Sequence, residues 1–168
     1  MQNVATEIDV REHFQALLEA NKGIVHKVSN AYCRLPEDRR DLAQEICLQL
    51  WTAYPKYDNA RSFTTWMYRI ALNVAISFAR HNGLRERHSA PLDGPLGETI
   101  TASMDSSGDQ VRSLMEFIDK MDELNRAIML LYLEDRSYQE IADIMGLTET
   151  NVATKISRLK QRIRDELS

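Results

Sequence analysis

The stretch from His88 to Asp109, HSAPLDGPLGETITASMDSSGD, constrains the fold more than any other part of the chain. Pro91 and Pro95, with Gly94, Gly97 and Gly108, interrupt it, and its few apolar residues follow no helical or strand spacing. Asp93, Glu98, Asp105 and Asp109 are its charges, with no Lys or Arg among them. A segment of this kind has no face to bury, so it reads as a solvated, flexible tether. The 168-residue chain is therefore expected to form two small domains, residues 1–88 and 109–168, joined by an acidic linker over 89–108. With 43% apolar residues there is material for a core in each.

On both sides of the linker the apolar residues recur at helical spacing. The first domain reads as four helices, at about 9–21, 24–34, 39–54 and 63–81, parted by Asn21-Lys22-Gly23, Leu35-Pro36 and the stretch from Tyr54-Pro55 to Ser62. The second reads as four more, at about 109–121, 123–134, 137–145 and 149–166. The fold class is all-α, with short turns between helices.

Most catalytic chemistries find no footing. There is no P-loop, G-x-G-x-x-G or G-x-S-x-G, and His13, His26, His81 and His88 lack zinc-enzyme spacing. Cys33 and Cys47 stand apart without C-x-x-C, and read as free thiols within apolar patterns. Neither an enzyme, a metal site nor a cofactor is expected. The N-terminal MQNVATEIDVREHF has no unbroken apolar run, and no segment reaches membrane-span length, so a cytoplasmic protein without membrane insertion is expected.

A net charge of −4 conceals two basic surfaces. From Arg61 to His88 five arginines oppose Glu86 alone, a balance of +4. From Arg112 to Thr150 four basic residues oppose nine acids, giving −5, and from Asn151 onward five oppose two, giving +3. Both basic stretches fall on expected helices.

In SFTTWMYRIALNVAISFARHNG, Ser62 is placed as an N-cap and Gly83 as a stop. Phe63, Met67, Ile70, Val74 and Phe78 are expected to face the core. Thr65, Arg69, Asn73, Ser77 and Arg80 form another stripe, and Phe63, Trp66 and Tyr68 put aromatic planes on or beside this basic helix. Unpaired bases stack on aromatic faces while arginine tracks phosphate, so the pattern suits single-stranded DNA.

DRRDLAQEICLQLWTAY offers two candidate buried sets, Leu42, Ile46 and Leu50, or Ala43, Cys47 and Trp51. Asp41, Gln44, Glu45 and Leu48 form a neighbouring stripe, acidic and amide-bearing with one leucine, which suits docking to a basic partner helix. In RSYQEIADIMGLTETNVATKISRLKQRIRDEL, Ser137 and Glu140 have capping-box spacing, with Ile141, Ala142 and Met145 as the apolar side. Gly146 supplies positive φ for the turn and Thr148 caps the next helix, which makes a helix-turn-helix. Val152, Ile156, Leu159 and Ile163 form its inner stripe. Asn151, Lys155, Arg158 and Arg162 lie opposite, with Thr150 and Thr154 beside them. In the major groove Lys or Arg pairs with guanine, Asn with adenine, and Thr with phosphate or a thymine methyl.

DLAQEICLQLW, FTTWMYRIALNVAISFAR and SYQEIADIMGLTETNVATKISRLKQRIRDEL, in this order across an acidic linker, resemble the extracytoplasmic-function (group IV) sigma factors of bacterial RNA polymerase over nearly the whole chain. The resemblance implies that Asp41, Gln44, Glu45 and Leu48 grip the β′ clamp helices of core polymerase. It implies that the loop from Asn59 to Ser62, with Arg61, holds a flipped-out base. Phe63, Thr65, Trp66, Arg69 and Asn73 would then read and melt the minus-ten element. Thr150, Asn151, Thr154, Lys155, Arg158 and Arg162 would read the minus-thirty-five element. The implied partners are core polymerase through the β′ clamp and β flap, promoter DNA, and an anti-sigma factor. Within the resemblance the linker would pass into the polymerase channels, its acidity standing in for nucleic acid. Family members often have Thr where Asn151 stands and Lys or Arg where Ala153 and Lys155 stand, so no promoter sequence transfers. A stand-alone helix-turn-helix regulator of duplex operator DNA is the competing reading.

Overall fold

The computed structural model describes residues 2–88 and 106–168, with side chains over 6–83 and 108–168. Eight α-helices and a 3-10 turn account for most of these residues: α1 Gln2–Ala20, α2 Lys22–Tyr32, α3 Pro36–Ala53, the 3-10 turn Tyr54–Lys56, α4 Phe63–His88, α5 Ser106–Asp119, α6 Glu123–Leu133, α7 Tyr138–Met145 and α8 Glu149–Leu167. The chain divides into two compact units that part within α4, Met1–Ser77 and Phe78–Ser168. Most of the expected linker, 89–105, lies outside the described residues.

In the first unit Asn21 alone separates α1 from α2. Its side-chain amide donates to the Leu17 carbonyl oxygen at 2.9 Å, closing the end of α1. Gly23, expected in the break, is helical because one glycine costs a helix only about 1 kcal/mol. α3 opens on Pro36, whose missing N–H is no loss in a first turn. Leu42, Ile46 and Leu50 are completely buried and Trp51 is 42% exposed, which decides between the two candidate sets on this helix. Val28, Phe14 and Tyr32 add to the same core.

α4 turns a different side inward from the one expected. Met67, Tyr68, Ala71, Leu72, Ala75 and Ile76 are buried, whereas Phe63, Ile70, Val74 and Phe78 are only half-buried. Two neighbouring four-residue series, 67/71/75 and 68/72/76, form one broad face rotated by about a third of a turn from the expected set. Small Ala71 and Ala75 admit close packing, a signal that a count of large apolar side chains overlooks. α4 also runs through Gly83 to His88 instead of stopping there. Gly83 does not take positive φ.

In the second unit Asp122 caps α6 by accepting the Asn125 N–H at 2.9 Å. The Arg126 guanidinium reaches back to the carbonyl oxygens of Asp119 at 2.6 Å and Met121 at 3.2 Å, fastening the end of α5 to α6. Asp135 takes φ 57° where the chain leaves α6. Phe117, Met121, Ala127, Ile128, Met129, Leu131, Ile141, Ala142, Ile144, Val152, Ile156 and Leu159 make the core. α7 buries Ile144 where Met145 was expected, because Ile141, Ala142 and Ile144 together face α6 and α8. Among the described residues no helix is long and apolar enough to cross a membrane.

Candidate nucleic-acid interface

The helix-turn-helix is assembled by local chemistry. The Ser137 hydroxyl accepts the Glu140 N–H at 3.1 Å while the Glu140 carboxylate accepts the Ser137 N–H at 2.9 Å, a complete capping box on α7. Gly146 leaves that helix at φ 67°. Thr148 then caps α8 by accepting the Asn151 N–H at 3.2 Å. Val152, Ile156 and Leu159 fix the rotation of α8 by burial, with Ile163 half-buried at the end of the stripe.

That rotation leaves Thr150, Asn151, Thr154, Arg158 and Arg162 exposed and Lys155 half-buried. The Thr154 hydroxyl donates to the Thr150 carbonyl oxygen at 3.0 Å, so it meets a ligand chiefly through its methyl group and lone pairs. Two cations of α8 pack on aromatic rings of their own unit. Lys160 Nζ lies 4.7 Å from the Tyr132 ring centroid, and its bond to the Tyr132 hydroxyl holds the ammonium pKa above the usual lysine value. Arg162 lies over Phe117 with 5.5 Å to the centroid.

A second constellation surrounds the start of α4. Phe14, Trp51, Tyr54, Tyr57, Phe63 and Trp66 form a continuous chain of ring contacts with centroid separations between 4.9 and 6.3 Å. Burial, and to a lesser extent neighbouring Tyr57, raise the Tyr54 phenol above its ordinary pKa. Asn59 and Arg61 stand exposed on the loop that joins Tyr57 to α4. Ala60 N–H donates to Asp58 Oδ1 at 2.9 Å, Arg61 N–H to the Asp58 carbonyl at 3.1 Å, and Tyr57 Oη to the Arg61 carbonyl at 2.7 Å. Ser62 accepts the Thr65 N–H at 3.2 Å and caps α4.

Down α4, Arg69, Asn73, Ser77 and Arg80 are exposed, and Phe63, Thr65 and Trp66 half-buried. Tyr68 does not join them: it is 1% exposed and belongs to the core, so it offers no plane to a base. From Thr65 to Arg80 the stripe is about 22 Å long at 1.5 Å per residue.

On α3 the side chains of Asp41, Gln44, Glu45 and Leu48 are all exposed, with Leu48 at 55%. Trp51 continues this face at three residues from Leu48 and seven from Gln44, its ring pinned by Phe14 at 5.1 Å. The sequence carried that signal, but the same tryptophan also fitted a buried series. Burial raises the pKa of the half-buried Cys47 thiol above its ordinary value. Among the described residues no three His, Cys, Asp or Glu side chains gather as metal ligands.

The described residues make an all-helical protein with a helix-turn-helix in its second unit. Residues 17–85 match Sigma-70 region 2 and residues 112–163 match Sigma-70 region 4. The chain is 24% identical over 94% of its length to the ECF RNA polymerase sigma factor SigW of Bacillus subtilis, 90% of which is covered. It belongs to the sigma-70 family, within the extracytoplasmic-function sigma factors. The ECF RNA polymerase sigma-E factor of Escherichia coli K12 is 28% identical, with 84% of this chain and 81% of that protein covered. Two solved structures share the fold. CnrH, in complex with the cytosolic domain of CnrY, has a TM-score of 0.67 at 18% identity and covers 94% of this chain and 88% of its own. RpoE in complex with the anti-sigma factor NepR from Bartonella quintana has a TM-score of 0.72 at 16% identity, covering 93% and 97%. The two family regions, matched in order on one chain, favour a sigma factor over a stand-alone operator-binding regulator. Sigma factors are not a class of enzyme.

Proposed function

We propose that this protein binds core RNA polymerase in the cytoplasm and directs promoter-specific initiation, itself carrying out no catalysis. The observation that carries this reading is the pairing of two exposed DNA-suited faces on one chain: the α4 stripe with its aromatic-backed loop, and the outward side of α8. The domains assigned to them are residues 1–88 and 109–168, with 89–108 as linker.

Asp41, Gln44, Glu45 and Leu48 on α3 engage the basic β′ clamp helices, where exposed acids steer the encounter and Leu48 supplies apolar contact. The second unit docks on the β flap. Thr150, Asn151, Thr154, Lys155, Arg158 and Arg162 meet the minus-thirty-five element in the major groove, the first turns of α8 reaching base edges and its later cations tracking phosphate.

The minus-ten element is read as a single strand by Asn59, Arg61, Phe63, Thr65, Trp66, Arg69 and Asn73. Extruding a base costs a few kcal/mol of stacking, which a preformed pocket and new stacking contacts offset. Regulation by an anti-sigma factor is part of the same reading, supported by the partners of CnrH and RpoE in their solved complexes. Run-off transcription with core enzyme on genomic fragments, followed by sequencing of the transcript starts, tests the proposal. Discrete starts that appear only when the protein is added support it, and core enzyme that never opens a promoter in its presence overturns it.

A further inference from the structure

We propose that Tyr57 is a positioning residue for strand reading: its hydroxyl fixes the backbone at Arg61 and so holds the Asp58–Arg61 turn in the shape that presents Asn59 to an extruded base. This rests on the reading of the protein as an initiation factor, and assigns within that reading a role to a side chain that need not touch DNA.

The argument is geometric. The Tyr57 ring is set by three others: Trp66 at 5.0 Å, Phe63 at 5.6 Å edge-on, and Tyr54 at 6.2 Å in a near-parallel stack. A ring held on three sides carries its hydroxyl to one place, and there it donates to the Arg61 carbonyl oxygen at 2.7 Å. The turn is closed from within by the two bonds that Asp58 accepts from Ala60 N–H and Arg61 N–H. Those internal bonds keep the turn tight but do not orient it on the domain. The Tyr57 hydroxyl ties it to the packed aromatic cluster, and Ser62, the next residue, begins α4.

Arg61 and Asn59 are therefore displayed from a backbone anchored on both sides, and a site ordered before binding loses less freedom when it captures a base. Phenylalanine at this position would keep every ring contact and lose the tie.

The experiment uses the full chain bound to core polymerase. A randomised single-stranded DNA library is selected on the wild-type complex, and the selected strand is synthesised with 2-aminopurine at each position in turn, so that fluorescence reports extrusion. Tyr57→Phe should bind that strand about twofold to tenfold more weakly, because a loosened turn must be ordered when the base is captured, and lose fluorescence at one position. Its affinity for core enzyme and its melting temperature should match wild type. Asn59→Ala should reduce affinity on its own but add less on the Tyr57→Phe background, because the two act as one unit. Wild-type affinity and fluorescence in Tyr57→Phe would overturn the inference while leaving the initiation reading intact. So would a uniform loss at all positions with a lowered melting temperature, which marks a merely structural tyrosine. A wild-type complex that selects no strand would overturn the initiation reading and this inference with it.

Discussion

The guanidinium of Arg162 rests over the ring of Phe117, 5.5 Å from its centroid, so the last arginine on the outward stripe of α8 is also a strut against α5. Phe117 is 3% exposed and anchors that helix in the core. The contact gives Arg162 a second duty beside any phosphate it meets. Arg162→Ala and Phe117→Leu should show a coupling of about 0.5–1 kcal/mol in a double-mutant cycle read by urea unfolding. Additive losses would mean the two side chains do not support each other.

Arg158 is exposed on α8 and unsupported by any such ring. Arg158→Ala should leave unfolding unchanged and weaken binding to the upstream promoter element by about 1–3 kcal/mol, with relaxed preference at one base pair. Binding to variant upstream duplexes by the polymerase complex checks this. Equal affinity for all of them in wild type and variant alike would remove Arg158 from base reading.

Glu45 lies on the exposed face of α3 and accepts a hydrogen bond from the Gln49 amide at 2.9 Å, a contact the fold can spare. Glu45→Lys should weaken the association with core polymerase about tenfold or more, since like charges brought together at an interface cost several kcal/mol. Its melting temperature should stay that of wild type. Retention of full affinity in a pull-down titration would move the docking face elsewhere. Trp51→Ala, on the same face, should also lower affinity by loss of an exposed, pre-held aromatic anchor.

Gly146 has φ 67° and open space where a Cβ would stand. Gly146→Ala should therefore destabilise the second unit by the backbone cost alone, about 1–2 kcal/mol, and Gly146→Asn by less. A larger loss would reveal a steric clash at this turn.

Ser29 is 2% exposed on α2 and its hydroxyl has no hydrogen-bond partner among the described residues. An unsatisfied buried hydroxyl costs about 1–3 kcal/mol, so Ser29→Ala should be neutral or stabilising. A clear drop in melting temperature would show that the hydroxyl is satisfied in solution.

What the sequence by itself determined were the features that short-range chemistry controls. Ser137 with Glu140, Gly146 at positive φ and Thr148 specify the turn and both caps of the helix-turn-helix within a dozen residues, and they are found as read. The exposed series on α3 and α8 followed from spacing for the same reason, because a helix places residues three and four apart on one side. The tertiary structure alone decided which of two neighbouring faces turned inward. α4 buries Tyr68, Ala71, Leu72, Ala75 and Ile76 in place of Ile70, Val74 and Phe78, and α3 buries Leu42, Ile46 and Leu50 while leaving Trp51 out. Several stripes on these helices are apolar enough to be buried, and the choice among them falls to packing within the unit, where small residues such as Ala71 and Ala75 are fully buried. The tie from Tyr57 to Arg61 was hidden for a related reason: a hydroxyl finds a particular carbonyl only after rings from the 3-10 turn and α4 have packed around it.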